Sequence, residues 1–205
     1  MNPSALVLDI ESAKAVLKRG ERPEINPVTE MPYEYVNGFD APDMGISVIG
    51  TWDLLTNEPP DWYFGTQIEE MGKAIEQRGY VVTYNGDGFD LPHIAHAGLD
   101  IPKWKSIDMA AMLYEMTGVR CSLGDLAMRN LNIGKSGSGK DAPLVWQRYC
   151  ADRFNYQFEL ANLVNYCRQD VGVTRRLFLR ALKNGGLEHP KTGSFVALTM
   201  PEGLR

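Results

Sequence analysis

Cysteine is scarce in this chain: 205 residues hold three, Cys121, Cys150 and Cys167. Their number is odd and no two form a C-x-x-C pair, so neither a zinc site nor a disulfide framework is expected. Inert thiols in a reducing compartment are the expectation. Long apolar runs are missing too. No stretch approaches the ~20 residues that span a bilayer, which excludes a transmembrane helix. The opening MNPSALVLDIES has too short an apolar part for a secretory signal, and Asp9 and Glu11 interrupt it. The expected setting is the cytoplasm. No repeat and no linker-like composition divides the chain, so one domain over residues 1–205 is expected.

Positive charge is thin in the first half. Residues 1–100 carry 6 Lys/Arg against 17 Asp/Glu, whereas residues 101–205 carry 15 against 9. The net charge of −5 argues against tight non-specific polyanion binding driven by counterion release. The asymmetry between halves is compatible with a polyanion partner all the same.

What is present reads as alternating strands and helices, an α/β layered fold. ALVLDIE (5–11) is a strand. Residues 12–43 hold Pro23, Pro27, Pro32 and Pro42 and read as an irregular insertion with room for one short helix near its start. Segments 44–53 and 61–66 read as two further strands of a meander, turned by the Asn-Glu-Pro-Pro cluster at 57–60. A helical pattern over 67–78 places Ile68, Met71 and Ile75 on one face. YVVTY (80–84) is a strand that runs into the turn NGDGF, with a helix from about Leu91. WKSIDM (104–109) is a fifth strand passing into a helix, and further helical patterns cover 122–131, 143–152 and 156–184. The tail after Gly185-Gly186 has the choice of a strand at SFVALTM or surface packing.

Three segments carry acids worth weighing. In LVLDIES, Asp9 and Glu11 are two apart in a strand and project from one face. Acids in an apolar strand are costly unless solvated, protonated or paired with cations. Two facing one way suit a hard metal such as Mg²⁺ or Mn²⁺, or simply a strand end at the surface. In VVTYNGDGFDLPHI, Asp90 is either a helix N-cap before Pro92 or part of a site, and Asn85 is a turn residue on the plain reading. In LVNYCRQDVGVTRR, Tyr166 and Asp170 are four apart and share a helix face, where solvated positions are the plain reading.

Taken together, D-x-E on an opening strand, N-x4-D after a middle strand and Y-x3-D on a late helix resemble the DEDD exonuclease superfamily. The likeness is to its tyrosine-bearing branch, as in the proofreading domain of family B DNA polymerases. Asp9 and Glu11 match the first motif, Asn85 with Phe89 and Asp90 the second, and Tyr166 with Asp170 the third. SLGDLAMRNLNIGK (122–135) is similar to the helix and loop before the third motif. The histidine-bearing branch has His five residues before the last Asp, where this chain has Asn165.

The resemblance implies an RNase H-like fold, a mixed five-stranded sheet flanked by helices. It implies two Mg²⁺ or Mn²⁺ ions held by Asp9, Glu11, Asp90 and Asp170, with single-stranded DNA or RNA 3′ ends as substrate and nucleoside 5′-monophosphates as product. Clustered carboxylates repel, and divalent cations relieve that repulsion. A tyrosine hydroxyl of ordinary pKa, about 10, is a poor base, so Tyr166 is expected to orient the attacking water. Asn85 and Phe89 are expected at the terminal nucleotide. With little chain outside the motifs, a stand-alone nuclease is the expectation. A non-catalytic nucleic-acid-binding module and an endonuclease on the same fold are the alternatives.

Other features compete for attention. Gly134-x4-Gly139-Lys140 nearly spells a phosphate-binding loop, but Asp141 stands where Ser or Thr belongs and no strand precedes it. Lys135 and Lys140 of this Gly/Ser loop either lean towards a phosphate backbone or idle at the surface. His93 and His96 lack a third soft ligand nearby, so packing or solvation explains them better than zinc. Asp108 reads as an N-cap, or else as an auxiliary acid of the site. Trp52, Trp62, Trp104 and Trp146 are core residues or stacking platforms, and Tyr33, Tyr35 and Phe39 of the insertion are candidates to touch the substrate end.

Overall fold

Strand β1, Ala5–Ser12, is the axis of the molecule. In the computed structural model, which describes residues 4–37, 41–134, 139–201 and 203–204, it pairs antiparallel with β4, Ile46–Asp53. The insertion between them places the two-residue strands β2, Ala15–Val16, and β3, Tyr35–Val36, side by side and parallel. Its one helix among the described residues is α1, Ala41–Met44, at the end of the segment and not near its start as the sequence suggests. Pro23, Pro27 and Pro32 interrupt the middle, and tertiary partners supply the order there. Gln147 donates to the carbonyls of Ala13 and Glu34 at 3.2 and 2.9 Å and accepts the Glu34 N–H at 2.7 Å. Arg148 reaches the Tyr33 hydroxyl at 2.8 Å. Phe39, Lys135 and the Lys140 side chain lie outside what the structure describes.

After β4 come β5, Asp61–Phe64, and helix α2, Ile68–Glu76, then β6, Tyr80–Thr83, α3, Asp90–His96, β7, Ser106–Asp108, and α4, Met109–Thr117. Helices α5, Leu123–Leu131, α6, Ala142–Ala151, and α7, Gln157–Asn184, follow. The chain closes with an antiparallel pair, β8, Gly186–Glu188, and β9, Phe195–Ala197. The five-stranded sheet has the order β5-β4-β1-β6-β7, antiparallel through β5, β4 and β1 and parallel from β1 through β6 to β7. This is the mixed sheet of the RNase H-like fold. No helix among the described residues is long and apolar enough to cross a membrane.

Alternation along β1 decides what each face of the sheet packs against. Leu6, Leu8 and Ile10 turn to one side and bury with Met71, Ile75 and Ile94 of α2 and α3. Ala5 and Val7 turn to the other, where Val171, Leu177, Phe178 and Ala181 of α7 meet Leu113 of α4. Nearer its start, α7 contributes Leu160, Leu163, Val164 and Cys167 to a separate cluster with Val48 and Ala142. Two apolar clusters therefore share one long helix, with a seam between them. At that level Gly50 lies opposite Asp9 in the ladder. A Cβ there would sit 2.9 Å from both Cys167 Sγ and Val171 Cγ2, so glycine allows α7 to lie this close to the sheet.

Candidate active site

The face of β1 that carries Ala5 and Val7 continues with Asp9 and Glu11, so the strand turns acidic where the seam opens. Glu11 is buried and Asp9 half-buried. The β1–β4 register shifts between Glu11 and Ser12, a bulge that re-aims the strand end. Ser47 Oγ pins it, 3.0 Å from the Glu11 carbonyl and 3.1 Å from that of Ser12.

Asp90 arrives from the next strand along. β6 ends at Thr83, Asn85 turns the chain with φ 67°, a conformation Asn tolerates better than most residues, and α3 begins at Asp90. β1 pairs with β6 only from Ala5 to Val7, which leaves Ile10 N–H beyond the ladder. Asp90 Oδ1 accepts it at 2.8 Å. The N-cap reading of Asp90 is thereby corrected: Phe89 occupies the cap position, and no side-chain cap bond is made there. Burial raises the Asp90 carboxyl to about 7, further helped by Asp108 and opposed by the Ile10 N–H.

Tyr166 and Asp170 come from α7, one turn apart. Cys167 lies between them, fully buried, its sulfur 3.6 Å from the Asp9 carbonyl and 3.9 Å from Asp9 Oδ2. The ligand atoms of Asp9, Glu11 and Cys167 lie within 4.8 Å of one another. Burial pushes the Cys167 thiol well above its ordinary range, and the negative charges of Asp9, Glu11, Asp90 and Asp170 push it further. Four carboxylates from three separate stretches of chain thus bear on one sulfur. Periodicity marks Cys167 only as a residue of the apolar face of α7, and its place between Tyr166 and Asp170 is the one signal of its nearness to the acids.

Asn85 is exposed, and Phe89 is half-buried with its ring 4.4 Å from that of His93. Phe89 lines a cleft of about 660 Å³ together with Ser12, Tyr35 and Gly139, so part of the insertion stands beside it. Asp108 fills the cap role expected of it and adds two further bonds. It caps α4 through the N–H groups of Ala110 and Ala111, and it also accepts from Asn85 N at 2.8 Å and Asp87 N at 3.0 Å. One buried carboxylate therefore fixes the turn that delivers Asp90, a function that spacing alone does not announce.

The chain comes close again at Gly139. A Cβ there would stand 3.3 Å from Glu11 Oε2 and 3.6 Å from Tyr166 Oη, so only a residue without one fits comfortably. Gly139→Val is expected to lower activity at least about tenfold by displacing Glu11 and Tyr166, since small misplacements of reacting groups are that costly. Its melting temperature should stay near that of the parent. A variant with full activity would show that the approach of this turn is irrelevant to the acids.

The remaining candidates resolve plainly. His93 is buried, with Nδ1 2.7 Å from the Phe89 carbonyl, and burial lowers its pKa. It packs the helix; the grouped metal-capable residues among those described are Asp9, Glu11 and Cys167. Trp52 and Trp146 pack against core clusters, whereas Trp62 and Trp104 are exposed. Cys150 is exposed as well.

A family model of the RNase H superfamily matches residues 51–181, from the middle of β4 into α7, so Asp9 and Glu11 lie ahead of it. No curated protein matches in sequence. Among solved structures 121 chains match. One is the family B DNA polymerase from the hyperthermophilic archaeon Pyrobaculum calidifontis, with a TM-score of 0.59 and 13% identity. The match covers 88% of this chain and 24% of the polymerase chain, so the two share a fold over about a quarter of the polymerase's length.

Proposed function

The chain belongs to the RNase H superfamily, and on that premise we propose that it is a metal-dependent 3′→5′ exonuclease of the tyrosine-bearing DEDD branch. Its substrate on this reading is a single-stranded 3′ end of DNA or RNA, and residues 1–205 act as one nuclease domain. One observation carries the proposal: the strand with Asp9 and Glu11 meets the helix with Tyr166 and Asp170 at Cys167, whose sulfur lies within 4.8 Å of both strand carboxylates, while Asp90 holds the N–H of Ile10 between them.

The donor set suits hard divalent cations. All four expected ligands offer carboxylate oxygens, which Mg²⁺ and Mn²⁺ favour. Cys167, the soft donor beside them, is buried and held as a thiol. Burial raises the carboxyl of Asp90 by disfavouring its ionised form, a cost that a bound cation would offset. Two bound cations would supply an activated water and neutralise charge on the scissile phosphate.

The chain's own contribution is positioning. Asp90 is held by Ile10 N–H and the turn before it by Asp108, so the second motif is fixed before substrate arrives. Tyr166 orients the attacking water through its hydroxyl. Asn85 and Phe89 contact the terminal nucleotide, Phe89 from the cleft that Ser12 and Tyr35 border. The products are nucleoside 5′-monophosphates.

The test is digestion of 5′-labelled single-stranded DNA and RNA in Mg²⁺, in Mn²⁺ and in chelator. A ladder shortening from the 3′ side in either cation, and absent in chelator, is the expected result. No cleavage of either strand under any condition ends the nuclease reading. Equal cleavage of 3′-blocked strands would make the protein an endonuclease.

A further inference from the structure

Four of the clefts lie beside Asp170, Tyr166, Phe89 or Asn85, and they differ in sign. The cleft walled by the insertion sets Lys18 and Arg22 against Glu21, Glu24 and Asp141. A cleft beside Tyr166 sets Arg148 against Asp141 and Glu159. One beside Asn85 sets Arg120 against Asp87 and Asp108. The fourth, a groove of about 570 Å³ over the outward side of α7, has Arg168 and Arg176 against Asp170, an acid of the site itself.

We propose that this groove holds the sugar–phosphate backbone of the strand whose 3′ end reaches the carboxylates, with Arg168 and Arg176 as its cationic contacts. The inference rests on the nuclease reading. A phosphodiester backbone goes where cations outnumber acids, and Asp170 makes the groove continuous with the site.

The groove is built along one helix. Asn165, Arg168, Gln169, Gly172, Val173 and Arg176 recur at three- and four-residue spacing, one outward stripe of α7, while Cys167, Val171 and Thr174 face the core. Arg176 stands about 9 Å along the axis from Asp170, at 1.5 Å per residue. It is exposed, and no described carboxylate pairs with it. Arg168 is partly buried and fixed by a hydrogen bond to the Pro60 carbonyl at 3.1 Å, and its Nε–H has no partner among the described residues.

Trp52 forms the far wall. Its indole N–H donates to the Glu58 carbonyl at 2.7 Å, and the Arg175 guanidinium sits 4.9 Å from its ring, so it is a fixed surface. The helix dipole does not account for the cations. It favours positive charge within the last turn, and Arg168 and Arg176 lie earlier in α7. From Val171 to Asn184 the helix has Arg175, Arg176, Arg180 and Lys183 and no acid, in a protein whose net charge is −5.

Phosphate contacts of this kind position a strand without reading its sequence. Their signature is salt dependence, with a slope of about −0.7 in log K against log salt for each contact to a single strand. The experiment compares the parent, Arg176→Ala and Arg176→Lys for binding of a long single strand made uncleavable by phosphorothioate linkages, in Mg²⁺ across a salt series. Arg176→Ala should weaken binding roughly tenfold, as for one charge-assisted contact, and lower the slope by about 0.7. Arg176→Lys should restore most of both. Cleavage of a dinucleotide, too short to enter the groove, should be unchanged in both variants. Binding and salt slope equal to the parent's would overturn the inference, as would an equal loss on the dinucleotide, which marks a structural role. Absence of cleavage by the parent strikes the nuclease reading alone, because binding is read separately.

Discussion

Asp170→Ala is expected to reduce turnover on a single strand at least about a thousandfold, some 4 kcal/mol on the barrier, and Asp9→Ala to do the same. Both acids are near Cys167, and on the proposed reading each substitution removes a metal ligand that no neighbour replaces. Unfolding is not the expected cause. Taking one charge out of a crowded acidic cluster relieves repulsion, so the melting temperature of the metal-free variants should match or exceed the parent's. Tyr166→Phe keeps the ring and loses the hydroxyl that orients water, so a loss within about a hundredfold is expected, the scale of a misplaced reactant. The measurement is the rate of 3′ shortening in Mg²⁺ beside thermal denaturation of each variant. Near-parental turnover in Asp9→Ala or Asp170→Ala would sink the assignment of these acids.

A second large effect concerns stability against pH. Burial raises Asp90 from the ordinary carboxyl range, about 4, to about 7 in the folded protein. The folded state therefore keeps a proton that the unfolded chain releases. Stability falls as pH rises across that window, and the cost is complete above about 7. Chelated protein should lose a few kcal/mol between pH 4 and 8. His93 works the other way. Its lowered pKa favours the folded state as pH climbs towards the ordinary histidine value, so the wild-type curve is a sum of opposing slopes.

Asp90→Asn isolates the carboxylate. It can still accept Ile10 N–H, and it should flatten the falling part of the curve. Adding Mg²⁺ or Mn²⁺ should reverse the loss in the parent, by about 2.7 kcal/mol at a hundred times the dissociation constant, or roughly 5–10 °C for a chain of this length. Binding at pH 6 should release protons. Thermal denaturation from pH 4 to 8 with chelator or cation tests all of this. Identical pH dependence in the parent and Asp90→Asn would remove the buried Asp90 carboxyl as its cause.

Much of the fold was legible in the sequence because hydrophobic period survives without tertiary context. The runs at 5–11, 80–84 and 156–184 became β1, β6 and α7 within a residue or two. The insertion was misread in detail because its order comes from Gln147 and Arg148, more than a hundred residues away. Asp90 illustrates the same limit within the site. Its spacing from Asn85 suggested a motif and its place before Pro92 a helix cap. The unpaired N–H of Ile10 made it neither a cap nor a solvated acid.

By itself the sequence determined which residues are acidic, which periods they interrupt and hence which faces they share: Asp9 with Glu11 on a strand, Tyr166 with Asp170 on a helix. Those are local consequences of backbone geometry. Only the tertiary structure decided that these faces meet. Gly50 lets α7 lie close on β1, β6 stops short so that Asp90 can reach Ile10, and the seam between two apolar clusters opens where the acids stand. Close packing fixes such meetings, and no periodicity along the chain encodes them.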